Sequence, residues 1–423
     1  MRFVLACYGT RGDVEPSVAV GRELLRRGHD VRIGVPPDLV GFVESTGLAT
    51  VAYGIDTQAM LDAHRDFWTC FSRSFWKVHV LVRLGRQVWA LLTQCWREMG
   101  VTLTSLADGA DLLSIAALNF EQPAANVAER YDIPLATLQH SPMRANGRLG
   151  AGLPPALIRS SMTAYEWLYW GMTKKVEDAQ RRELGLPKTK RPSPRRIADR
   201  GSLEIQAYDE VCFPGLAAEW AKWNGQRPFV GALTMELTTD ADDEVASWIA
   251  AGTPPIFFSF GSIPVESPTE TVDMVAAACA QVGERALICS AGSDFSQVPH
   301  FDHVKVVGAV NYAATFPACR AVVHHGGAGT TAIGLRAGVP ALILWTAPDQ
   351  SLWGAQVKRL KVGTARSLST TSRESLVTDL RRILAPEYGT RAREIATRMT
   401  TPTESVANTV DLLENFARSR RAG

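Results

Sequence analysis

The chain has 423 residues, of which 46% are hydrophobic, 21% charged and 8% aromatic. That is enough for about two to three domains with cores of their own, and it excludes disulfide-stapled miniproteins and disordered chains. With 45 basic and 43 acidic residues the net charge is +2, too small to make a global case for nucleic-acid binding.

Taken in chain order, the first elements are an apolar strand from Phe3 to Cys7, a loop Gly9-Thr10-Arg11-Gly12-Asp13, a helix from Pro16 to Arg27 and a strand from Val31 to Val35. Strand, loop, helix and strand at this spacing make one βαβ unit, and hence a parallel sheet. Further strands are predicted at Leu112 to Ala116 and Leu135 to Leu138. A second run follows at Ile256 to Phe260, Ala286 to Cys289, Val304 to Val307, Ala321 to Val323 and Ala341 to Leu344. Proline and glycine between Phe213 and Pro228 mark a linker, which puts the boundary near residue 225, and a last helix runs from Glu404 to Arg418.

The seven cysteines are scattered without a C-x-x-C pair and read as reduced thiols of a cytosolic protein. The apolar run at Met1 to Tyr8 is too short for a signal-peptide core, and nowhere do about 18 apolar residues run together as a membrane span needs. Aromatic residues crowd 67 to 96 and 165 to 170, where core packing and a cleft-lining role are both open. Residues 181 to 200 carry eight Lys or Arg against Glu183 and Asp199, either a solvated loop or a face for anionic lipid.

The segment with the clearest chemistry is Val322-Val323-His324-His325-Gly326-Gly327-Ala328-Gly329-Thr330-Thr331, a strand that turns through glycines into a helix. Unpaired amides and the positive end of the helix dipole converge there, so the expected ligand is a phosphate or diphosphate, with His325 and Thr330 as side-chain donors. The same glycines also fit a dinucleotide fingerprint, with Asp349 about 20 residues on as the ribose acid. An NAD(P)-dependent oxidoreductase is therefore the alternative reading, and a nucleotide-sugar-binding module without turnover is another.

Together with Gly338-Val339-Pro340 and Pro348-Asp349-Gln350, this block resembles the donor signature of nucleotide-sugar glycosyltransferases of the GT-B fold. Gly9 to Pro16, Phe258 to Ser262 and Val310-Asn311-Tyr312 extend the resemblance over the chain, which looks like the bacterial branch that glycosylates glycopeptide antibiotics and lipids, and Trp345 to Gly363 is most similar to mycobacterial glycopeptidolipid glycosyltransferases. The resemblance implies two Rossmann-like α/β domains with parallel sheets facing a central cleft. Residues 1–225 would take the acceptor and 226–403 the donor, while helix 404–423 could pack on either half, back on the first included. It further implies that His325, Gly327, Gly329 and Thr330 hold the diphosphate, with Ser262 beside them. Asp349 and Gln350 would bind sugar hydroxyls, Val310 the base, and Arg11 would add a cation. Asp13 would be the catalytic base, although an aspartate here also suits a helix cap. Trp68, Phe71, Trp76 and His140 are the candidate acceptor contacts.

The implied reaction is inverting and needs neither metal nor cofactor, the nucleotide sugar (dTDP- or UDP-linked) being a co-substrate. The acceptor is expected to be lipid-like, met in the cytoplasm or at the inner face of the membrane, with no nucleic acid involved. Two departures stand out: Asn311-Tyr312 replaces a common Pro-His, and Ile333 replaces the ribose-binding glutamate of plant members.

Overall fold

The computed structural model describes residues 1–74, 76–116, 120–149, 153–223, 225–261, 267–290 and 298–421; for 68, 69, 71–74 and 421 it describes the backbone alone. The chain folds as two compact units, Met1–Ala207 with Gly215–Leu233 and Thr403–Gly423, and Tyr208–Pro214 with Thr234–Pro402.

The first unit is built on strands β1 (Arg2–Cys7), β2 (Asp30–Val35), β3 (Ala49–Ala52), β4 (Leu112–Ala116), β5 (Leu135–Gln139) and β6 (Leu203–Gln206). The second is built on β7 (Ile256–Ser259), β8 (Ala286–Cys289), β9 (Val304–Val307), β10 (Ala321–His324), β11 (Ala341–Trp345) and β12 (Gly363–Ser367). Every pairing is parallel, in the orders β3-β2-β1-β4-β5-β6 and β12-β11-β10-β7-β8-β9. Both are the doubly wound order whose direction reverses once, between β1 and β4 and between β7 and β10. The inner strands lie between helices and are apolar on both faces: Phe3, Val4 and Leu5, like Val322 and Val323, are at most 1% exposed.

Three strands escaped the sequence reading: β3 (Ala-Thr-Val-Ala), β6 (Leu-Glu-Ile-Gln) and β12 (Gly-Thr-Ala-Arg-Ser). Each ends its sheet and carries few or no large apolar residues, so its periodicity is weak. In β6 the two polar side chains are fully buried, because Arg144 and Arg227 both donate to Glu204 and Gln206 Nε2 turns to the Glu204 carbonyl.

The first helix differs from the sequence expectation. It spans Arg11–Arg26, five residues ahead of the predicted start, and Pro16 lies inside it rather than at its first position. The start is set by a reciprocal cap, in which Thr10 N and Thr10 Oγ1 donate to Asp13 Oδ2 at 2.7 and 3.0 Å.

The last helix, Pro402–Arg421, belongs to the first unit. Val410, Leu413 and Ala417 are fully buried along one face of it. Asp411 meets Arg27 at 2.5 Å, and Glu414 meets His29 Nε2 at 2.8 Å.

The basic stretch 181–200 is divided: Arg181 and Arg196 are drawn inside the fold, whereas Arg182, Arg191 and Arg200 stay exposed, the last two in surface ion pairs. Arg181 pairs with Glu129 at 2.8 Å, Arg196 with Glu129 and Glu177, Arg191 with Asp199 at 2.7 Å and Arg200 with Asp132 at 3.2 Å. Arg195 faces Glu166 at 3.7 Å. Lys188 and Lys190 remain exposed. Among the described residues no helix is long and apolar enough to cross a membrane, and no disulfide joins the cysteines.

Candidate functional site

Open α/β sheets bind ligands beyond the carboxyl ends of the strands where the order reverses. In the second unit that place is the end of β10 beside the end of β7, and the His325-Gly326-Gly327 turn occupies it. The turn is possible because Gly326 takes φ +96°, where a Cβ would lie 2.7 Å from Ile343 Cγ2 and 3.0 Å from the Gln350 carbonyl oxygen. Gly327 is the N-cap of the helix Ala328–Ala337 and offers no side-chain cap, so the first amides of that helix keep their donors for a ligand.

His325 is clamped by backbone on two sides. A Cβ at Gly261 or at Gly327 would come within 2.6 Å of its ring, so both positions must be glycine for the imidazole to sit there. Among the described residues no group hydrogen-bonds its Nδ1. Burial pushes its pKa below the ordinary histidine range, and the charge of Asp349 in the first turn of the helix Pro348–Leu360 opposes that. Asp349 and His325 are thus brought within electrostatic reach, about 24 residues apart in a chain where spacing alone could not pair them. Gly329 and Thr330 lie half-buried in the same first turn, as the sequence placed them.

His324 supports the turn from below. It is 1% exposed and its Nδ1 accepts from Gly326 N at 3.1 Å. Burial, reinforced by the neighbouring His325, pushes its pKa down to about 3. The native state therefore excludes a proton that the unfolded chain takes up near pH 6.5, so this histidine's contribution to stability is whole above about pH 6.5 and shrinks as pH falls below it. Acidifying to about pH 4.5 is expected to cost on the order of 2 kcal/mol through this group alone. Thermal melts of the wild type and His324→Asn across that range check it: the variant should show the shallower loss, and equal slopes would contradict the assignment.

The remaining donor candidates are placed differently from one another. Gln350 Oε1 accepts from Thr346 N at 2.8 Å, Thr346 Oγ1 at 3.1 Å and Ala347 N at 3.1 Å, so its carbonyl closes the helix cap and only its amide remains to meet a ligand. Val310 is buried just after β9. Asn311 caps the short helix behind it, accepting from Ala313 N and Ala314 N, while Tyr312 stacks on Phe316 and shares a 2.7 Å hydrogen bond with Ser259. The departure at 311–312 is thus a cap and a packing residue. Ser262 lies outside the described residues.

In the first unit the corresponding reversal lies between β1 and β4, and the loop after β1 leads into the first helix. Asp13 sits there as a helix-cap carboxylate rather than as a loop residue, and its packing requires Gly9, whose Cβ would fall 2.3 Å from Asp13 Oδ2 at φ +143°. Arg11 is engaged within its own unit, by Glu15 at 2.7 Å and over the Phe42 ring at 4.6 Å. His140 follows β5; burial pushes its pKa down to about 4, and its Nε2 has no hydrogen-bond partner among the described residues. Trp76 is 64% exposed, whereas the side chains of Trp68 and Phe71 lie outside the described set.

The sequence reading missed a cavity of about 270 Å³ in this unit, lined by Glu121, Gln122, Gln139, Arg144, Glu166 and the aromatics of the 165–170 cluster. The signals were local and separate, a helix start at Glu121-Gln122-Pro123 and a strand end at Gln139, and nothing in sequence joins them. Among the described residues no three His, Cys, Asp or Glu side chains form a metal cluster. Asp242 opens the helix Asp242–Ala250 and accepts from Thr239 N and Asn311 N, both at 2.8 Å.

Comparison with known proteins gives the family and the fold. Residues 3–94 match the glycosyltransferase family 28 N-terminal domain, and residues 274–412 match the erythromycin biosynthesis protein CIII-like C-terminal domain. An uncharacterized glycosyltransferase of Mycobacterium tuberculosis is 60% identical over the full length of both chains. A sterol 3-beta-glucosyltransferase of Arabidopsis thaliana is 26% identical over 94% of this chain and 65% of its own. Among solved structures, the glycotransferase of kitacinnamycin superposes with a TM-score of 0.71 at 16% identity, covering 98% of this chain and 99% of its own. The glycosyltransferase VinC in complex with dTDP superposes with a TM-score of 0.65 at 18% identity, covering 99% and 100%.

Proposed function

The chain belongs to the GT-B glycosyltransferases, and from that premise we propose that it is an inverting, metal-independent enzyme moving a sugar from a nucleoside-diphosphate sugar to a hydroxyl of an apolar acceptor. The observation that carries the reading is the His325–Thr330 turn at the strand-order reversal of the second sheet, with a buried imidazole and uncapped helix amides in one place. In the proposed reaction the acceptor oxygen attacks the anomeric carbon as the bond from that carbon to the diphosphate oxygen breaks, and Asp13 takes the acceptor proton. The charge that develops on the diphosphate meets the preorganised amides and His325. Membership of this family sets aside the oxidoreductase reading, and a turnover assay with an acceptor or water supplied separates the enzyme from a nucleotide-sugar-binding module: absence of turnover would favour the module.

The apolar acceptor is supported by the sterol named for the Arabidopsis relative and by the aromatic wall of the first-unit cavity. His325→Ala should weaken nucleoside diphosphate binding by about 1.5 to 3 kcal/mol, the worth of a hydrogen bond to a charged group, and EDTA should leave activity intact. Calorimetry with the diphosphate and a chelation assay check this; activity lost to EDTA and restored by magnesium would contradict it.

For the nucleotide, Ile333 is half-buried in the helix that follows the turn and offers no hydroxyl partner. A site built to bind a hydroxyl rejects its absence strongly, and an apolar position does not. dTDP-sugars are accordingly expected to serve at least as well as UDP-sugars, as the dTDP complex of VinC suggests for a related fold. Strict UDP dependence in a kinetic comparison would refute it.

A further inference from the structure

One side of the His325 turn is made by the end of β7, and the groups that hold that end are buried and polar. Ser259, 1% exposed, is the last residue of β7 and stands opposite His324 in the register of β7 on β10. Its Oγ accepts from Gly261 N at 3.4 Å. Gly261 in turn seats the His325 ring, because at φ +72° it presents bare backbone where a Cβ would lie 2.6 Å from the ring Cε1. The place of the imidazole therefore follows the place of Gly261, which is tied to Ser259.

From Ser259 the bonds continue along the carboxyl edge of the sheet. Ser259 Oγ and Tyr312 Oη are 2.7 Å apart, and Tyr312 Oη lies 3.6 Å from Cys289 Sγ at the end of β8. Cys289 Sγ lies 3.6 Å from the Gly308 carbonyl oxygen, just past β9. Each of the two hydroxyls and the thiol has one proton to give. A carbonyl oxygen only accepts, so the thiol donates to Gly308 and accepts from Tyr312. Tyr312 then accepts from Ser259, whose oxygen takes the Gly261 amide. All four bonds run in one direction, from Gly261 to Gly308, and bonds aligned in this way polarise and strengthen one another.

Tyr312 is the middle of this chain, and its neighbours fix where it points. Asn311 caps the short helix Tyr312–Thr315, and the phenol ring stacks on Phe316 with centroids 5.0 Å apart and planes at 17°. It also meets Phe257 edge-on at 5.2 Å. A phenylalanine would keep both ring contacts, so what tyrosine adds is the oxygen.

We propose that Tyr312 is a positioning residue for the donor: its hydroxyl ties the Gly261 backbone that seats His325 to the Gly308–Val310 segment, so that the diphosphate end and the base end of the nucleotide site keep a fixed spacing. The inference rests on the glycosyltransferase reading and adds to it a residue that acts through Ser259 and Cys289.

The test compares the wild type with Tyr312→Phe, Ser259→Ala, Cys289→Ala and the double variant Tyr312→Phe/Ser259→Ala, each melted first to confirm that the fold is kept. In calorimetry with a nucleoside diphosphate, Tyr312→Phe should bind about threefold to tenfold more weakly, the worth of one uncharged hydrogen bond. The double variant should bind no more weakly than the weaker single variant, because both substitutions break one chain. The infrared S–H stretch of Cys289, identified by its loss in Cys289→Ala, reads the same chain without ligand. It should rise in frequency in Tyr312→Phe, since the thiol loses the donor that strengthens its own bond to Gly308. Unchanged diphosphate affinity in Tyr312→Phe, a double-variant loss equal to the product of the single losses, or an unmoved S–H band each overturns the proposal. A wild type that binds no nucleoside diphosphate would instead undo the donor reading, and the S–H band tells the two failures apart.

Discussion

Asp13→Asn is expected to lower turnover at least about 100-fold while leaving nucleoside diphosphate affinity nearly unchanged. General-base removal of an acceptor proton is worth about 10²- to 10⁴-fold, and an amide cannot take that proton. The substitution is informative because of what the structure assigns to this side chain. Asp13 Oδ2 is fixed by Thr10 N and Thr10 Oγ1 in the helix cap, and asparagine retains an oxygen that can accept the same bonds. The fold, the cap and the packing against Gly9 should therefore survive, and a lost rate reports chemistry rather than collapse. Steady-state kinetics with saturating donor, together with diphosphate titration, measures the two quantities separately. A variant with near-normal kcat would leave Asp13 as a cap and nothing more.

Arg144→Met should destabilise the first unit by about 3 to 5 kcal/mol, the usual cost of removing one partner from a buried ionic group. Glu121 would keep only the Gln139 amide, and Glu204, fully buried on β6, would keep Arg227 as its ion-pair partner. Their carboxylates would then carry buried charge beyond what the remaining cation balances. With about 2 to 4 °C per kcal/mol for a unit of this size, the first thermal transition should fall by roughly 6 to 20 °C. Because His325 and its glycines belong to the other unit, diphosphate binding should persist at temperatures where both units are folded. A transition unmoved by the substitution would show that the network is not holding β6 and the cavity floor in place.

Much of the donor side was legible because its chemistry is local. Strand Ala321–His324, the glycine turn and the helix after it follow one another in ten residues, and positive φ at Gly326 and the uncapped Gly327 are written in residue type. Inner strands were legible for a similar reason, since burial on both faces demands an unbroken apolar run. The first helix was misplaced although its signal was local too. Thr10-Arg11-Gly12-Asp13 is the capping pattern that sets the start, and Pro16, five residues beyond Arg11 inside the helix, does not mark its first residue.

By itself, then, the sequence determined the class of fold, the positions of the inner strands and the glycine turn after Ala321–His324, because these depend on hydrophobic period and on backbone freedom within a few neighbours. Tertiary structure alone decided the rest. It put the edge strands β3, β6 and β12 in register and drew Arg181 and Arg196 of an apparently free basic stretch onto Glu129 and Glu177. It also gathered Glu121, Gln122, Gln139, Arg144 and Glu166 around one cavity. The physical reason is common to all three. Whether a polar or charged side chain is a solvated surface group or a buried, paired one depends on partners tens of residues away, and those become neighbours only when the sheet closes its order and the helices cover it.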